Sequence, residues 1–137
     1  MKTVRSHVQA KWELPKTSDF GVLYQQAIRH VNENKKLLMT SNIPLMIQAY
    51  FEDMHKILGQ LKNTAEQKAQ LWLVVSSSAY AGYEIPVDLI IGDIGSRVGW
   101  DLKEIGVMRK VKKRKTKYSP DILELRESVI ILENPSK

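Results

Sequence analysis

The sequence predicts an α+β fold: an N-terminal strand, three helices, then an antiparallel β-sheet (a hairpin plus two C-terminal strands) packed on the helices. Three observations carry this prediction. Apolar residues between positions 20 and 75 recur with helical spacing. Beyond position 83 they alternate with a period of two. Gly92, Gly95 and Gly99 crowd into eight residues between the alternating stretches, where each would cost about 1 kcal/mol inside a helix.

Val4, Val8, Ala10 and Trp12 lie among Arg5, His7, Gln9 and Lys11, which predicts a strand over residues 3–13 that Pro15 ends. Thr17-Ser18-Asp19 offers an N-cap for a first helix. Phe20, Leu23, Ala27, Ile28 and Val31 give that helix its apolar face, to about Lys36. Ser41-Asn42 then caps a second helix, with Pro44 in its first turn, where a missing N–H costs nothing. Ile43, Met46, Ile47, Tyr50, Phe51, Met54, Ile57, Leu58 and Leu61 form its continuous stripe. A third helix is expected from Asn63-Thr64, with residues 71–75 apolar all round and so central.

Residues 83–91 and 97–105 then read as the two strands of a hairpin around the Gly92-to-Ser96 loop; a helix starting at Pro86 is the competing reading. Residues 107–118 form a basic strand, Ser119-Pro120-Asp121 turns the chain, and residues 121–132 make a last strand apolar on both faces near its end. A length of 137 residues predicts one domain, with residues 103–118 as a polybasic strand or loop within it.

Residues 103–117 hold eight basic side chains against one acid, Glu104, a local net charge of +7 in a chain whose total is +6. The basic character is therefore one segment. Such a segment attracts a polyanion by releasing its counterions, so nucleic acid, DNA or RNA, is the leading partner. The expected contacts are Lys112, Lys113, Arg114 and Lys115, supported by Arg109, Lys110 and Lys117, with Tyr118 placed to stack on a base. The expected function is non-enzymatic binding through the phosphate backbone. An acidic protein partner and a homo-oligomer are the other partner classes.

Two resemblances suggest other chemistry. Asp88 on one expected strand and Asp101-Leu102-Lys103 on the next resemble the metal-binding pattern of restriction-endonuclease-like nucleases. The resemblance implies a magnesium ion held by the two carboxylates and a water activated beside Lys103. Ile90-Ile91-Gly92-Asp93-Ile94-Gly95-Ser96-Arg97-Val98 is similar to the glycine signature of KH domains, which implies a loop clamping a nucleic-acid backbone, although Asp93 stands where that family favours a basic residue. Glu52 and His55 have the i, i+3 spacing of a di-metal motif, but no second copy exists, and no metal is expected.

The remaining composition excludes more than it suggests. There is no cysteine, hence no disulfide, no thiolate zinc site and no thiol nucleophile. No phosphate-cradling glycine loop or nucleophile elbow occurs, and no cofactor is expected. No run of eighteen apolar residues exists and residues 1–15 lack an apolar core, so neither a membrane span nor a signal peptide is expected. The expected compartment is the cytoplasm, or the nucleoid or nucleus if residues 110–115 serve as an address.

Overall fold

The computed structural model describes residues 4–5, 13–114 and 117–135. Among the described residues it is an α+β fold with three α-helices and an antiparallel sheet, the class the hydrophobic pattern predicts. The strand expected over residues 3–13 lies almost wholly outside the described residues.

Helix α1 (Val22–Glu33) starts after Gly21, later than the Thr17-Ser18-Asp19 cap predicted for it. Gly21 has φ 97°, and a Cβ there would run into the Asp93 carboxylate. Asp19 and Thr17 are used elsewhere. Asp19 accepts from Arg97 Nη2 at 2.9 Å, and Thr17 donates to Glu52 through both N and Oγ1. Helix α2 (Ile43–Thr64) is the predicted long helix, and its stripe of Ile43, Met46, Ile47, Phe51, Met54 and Leu58 is buried. Tyr24 of α1 meets Phe51 edge-on at 5.7 Å and Phe20 at 4.9 Å, a geometry that suits the ring quadrupoles.

Residues 70–76 overturn the third predicted helix. They form strand β1 (Gln70–Ser76), because an apolar run of this length satisfies a strand as well as a buried helix, and Val74-Val75 favours the strand. Strands β2 (Ser78–Tyr80) and β3 (Tyr83–Ile85) come next as a separate hairpin, turned by Ala81 at φ 53° and Gly82 at φ 72°. Two positive φ values match the right-handed twist of the strands.

The expected hairpin strand 83–91 is replaced over most of its length by helix α3 (Val87–Arg97), the competing reading. Its glycines do not break it. A Cβ on Gly92 would meet Ile105 Cδ1 at 2.8 Å, and one on Gly95 would meet Leu132 Cδ1 at 2.9 Å. Glycine is what lets α3 lie close on the sheet, and this gain outweighs the helix-propensity cost. The helix ends in a Schellman motif. Gly99, at φ 109°, donates to Ser96 O, and Trp100 N–H donates to Gly95 O at 3.0 Å.

Strand β4 (Asp101–Lys112) merges the second hairpin strand with the basic strand, and β5 (Glu124–Glu133) returns beside it. The sheet order is β1-β5-β4, all antiparallel. Ile130 and Leu132 of β5 are fully buried against α3, whose Ile90, Ile91 and Ile94 complete the core.

Candidate nucleic-acid interface

Register explains how the basic side chains are presented. Along β4 the pairing steps by one residue between Leu102 and Glu104 and again between Val107 and Arg109. Each step is a bulge, which flips the side-chain parity of the residues beyond it. Val107 faces Ser128, whereas Arg109 faces Glu127 on the opposite side of the sheet. Val107 therefore lies on the face opposite Arg109 and Val111, whereas simple alternation would place all three together. Beyond the second bulge Lys110, opposite Arg126, and Lys112, opposite Glu124, share the face of Val107 and Ser128, while Arg109, opposite Glu127, lies on the other face of the two-stranded ribbon.

Lys110, Lys112 and Arg114 are exposed and hold no ion pair among the described residues. Arg109 is exposed but pairs with Glu127 Oε1 at 3.1 Å. Lys113 has a different role. It is half-buried, its N–H extends the ladder to Leu123 O at 2.8 Å, and its Nζ donates to Arg114 O at 3.1 Å and Ser119 O at 3.4 Å. It braces the connecting loop. Lys117 lies over the half-buried Tyr118 ring at 5.1 Å, which brings the predicted stacking residue beside a cation. Buried Ser119 accepts from Gly82 N–H at 2.9 Å and ties this loop to the β2–β3 turn. Lys115 lies outside the described residues.

The residues of the nuclease resemblance fall on different elements. Asp88 opens α3 instead of lying on a strand paired with Asp101. It is 1% exposed, and both its oxygens are engaged. Arg126 donates through Nε and Nη2 at 2.7 and 2.8 Å, Ser128 Oγ at 2.7 Å and Leu89 N–H at 2.8 Å. Burial pushes the Asp88 carboxyl up, but these donors outweigh it and hold it below the usual range. Asp101 is exposed, and Lys103 Nζ pairs with Glu133 at 3.3 Å. The KH-like glycines lie inside α3, not in a loop.

Glu52 does not turn towards His55. Its Oε1 takes Arg5 Nη2 at 2.8 Å, and its Oε2 takes the N–H groups of Lys16 and Thr17. Against the cost of burial, these donors hold its pKa down at about 2. His55 packs against Phe20 at 6.0 Å. Among the described residues no group of three acidic or histidine side chains converges as a metal site, and no helix is long and apolar enough to cross a membrane.

Sequence reasoning missed the Asp88–Arg126–Ser128 cluster and its extension to Glu84, which reaches Arg126 at 3.5 Å and accepts from Ser77 Oγ at 2.6 Å. The available signal was Arg126 and Ser128 on the same parity as Ile130 and Leu132, polar groups on a face that must be buried.

Compared with known proteins, the chain is similar to the type II methyltransferase M.AvaI of Nostoc sp. and to its counterpart in Anabaena variabilis. Each is 30% identical over 88 residues, which is 63% of this chain and 18% of the methyltransferase. The chain thus matches less than a fifth of the length of these curated relatives. No family model matches it, and no solved structure does.

Proposed function

We propose that this chain is a DNA-binding element of a DNA-modification system, contacting phosphates through the tip of the β4–β5 ribbon. Lys110, Lys112 and Arg114 make the contacts, Arg109, Lys115 and Lys117 add charge, and Tyr118 lies against the sugar or base. The observation that carries this reading is the exposure of Lys110, Lys112 and Arg114 without an ion pair among the described residues. Cations left unpaired on a ribbon keep their full attraction for a polyanion. Similarity to proteins named as type II methyltransferases favours DNA over RNA. The chain binds without turning the nucleic acid over. Lys113, predicted as a contact, acts in this proposal by holding the loop in shape.

Fluorescence anisotropy with labelled duplex DNA and RNA across a salt series tests this. With about four phosphates contacted, log K falls against log salt with a slope near −3.6. Replacing Lys110, Lys112 and Arg114 by alanine makes the slope shallower by about one unit per contact. Equal binding by that variant, or no DNA binding at low salt, overturns the proposal.

A further inference from the structure

The two edges of the three-stranded sheet are built differently. The β4 edge carries lysines and two bulges, both of which discourage another strand from pairing. The β1 edge has neither. Residues 70–76, Gln-Leu-Trp-Leu-Val-Val-Ser, hold no charge, no proline and no bulge.

Backbone direction shows which groups this edge offers. Ser77 N–H donates to Arg126 O, and Asn134 N–H donates to Ala69 O. Odd-numbered residues of the strand therefore turn their backbone groups to β5. By alternation, Gln70, Trp72, Val74 and Ser76 turn theirs away from the sheet. Among the described residues, β5 is the only strand paired with β1. On the face away from the helices, Trp72 is 63% and Val74 58% exposed, beside Val129 and Ile131 in register.

We propose that β1 pairs antiparallel with β1 of a second copy about a two-fold axis at Leu73, giving one six-stranded sheet. The strand is self-complementary about that point. Trp72 faces Val74′ and Val74 faces Trp72′, aromatic against β-branched, the kind of cross-strand pair that stabilises sheets. On the helix side Leu73 faces its own copy and Leu71 faces Val75′. Gln70 faces Ser76′, so no charge is buried. The outward N–H and C=O groups of the even-numbered residues fall opposite one another, as an antiparallel ladder requires. Electrostatics favours this edge. Pairing through β1 leaves the two basic β4 strands at opposite ends of the sheet, five inter-strand steps or about 24 Å apart. Pairing through β4 would bring like charges together. The proposal does not rest on DNA binding.

The chain has no cysteine, so introduced thiols are unique. Trp72→Cys and Val74→Cys proteins would be mixed under mild oxidation, and the assembly state of the unmodified chain measured by light scattering. The expected result is a dimer, with the mixture cross-linking faster than either variant alone, since only the 72–74′ pair is in register. Val74→Pro deletes an N–H that faces away from β5, so it leaves the internal ladder intact and weakens association about tenfold or more. Circular dichroism confirms that this variant is folded, and Lys112→Ala should dimerise like the unmodified chain. A monomer at about 100 µM, or cross-linking without register preference, overturns the proposal.

Discussion

Asp88 and Arg126 are joined side by side, Nε to Oδ2 at 2.7 Å and Nη2 to Oδ1 at 2.8 Å, where the first turn of α3 meets β5. The fork geometry pins helix to strand at the point where the ribbon leaves the helix layer. Asp88→Asn keeps the volume but removes the closer of the two carboxylates that hold the half-buried Arg126 guanidinium, leaving it the longer pair with Glu84 at 3.5 Å. We expect a loss of about 2–3 kcal/mol, towards the low end for buried pairs because Arg126 is partly solvated, read as a lower urea midpoint. Magnesium should leave that midpoint unchanged in both proteins.

Alanine at two helical glycines should act in opposite directions. Gly95→Ala drives a methyl into Leu132 and should cost about 1–3 kcal/mol. Gly59→Ala, on α2 with nothing within 4 Å of the added atom, should stabilise by about 1 kcal/mol. Thermal melts of the two single variants check the signs.

Acid should unfold the protein through its bound carboxylates. Glu52, held at about 2 against an ordinary 4.5, and Asp53 and Asp88, also lowered, bind fewer protons folded than unfolded. Their contribution is fully present above pH 4.5 and is lost as pH falls towards 2. Urea midpoints should fall steeply over that window, and Glu52→Gln should be less stable at neutral pH with a flatter decline.

Neighbouring lysines should separate binding from folding. Lys112→Ala should lower DNA affinity, reduce the salt slope by about one and leave stability within about 0.5 kcal/mol. Lys113→Ala removes the bonds to Arg114 O and Ser119 O, so it should loosen the loop, seen as faster amide exchange at Tyr118 and Ser119.

Sequence pattern revealed α2, β5 and the α+β class because each rests on a one-sided or uninterrupted apolar signal. It failed at β1 and α3 for a shared reason. Leu71 to Val75 is apolar on both sides, and two glycines in α3 face the sheet, so periodicity and propensity both pointed away from the tertiary answer. The basic segment was legible as charge, but its presentation was not. Only the register shows that Met108 interrupts the pairing and that Lys113 turns inward to the loop.

The bulge at Met108 also bears on how such a chain can change over generations. Lys110, Lys112 and Arg114 are exposed and hold no ion pair among the described residues. Substitutions there escape the penalty that constrains Asp88 or Gly95, so the cations at the ribbon tip are free to drift while the scaffold beneath them stays fixed.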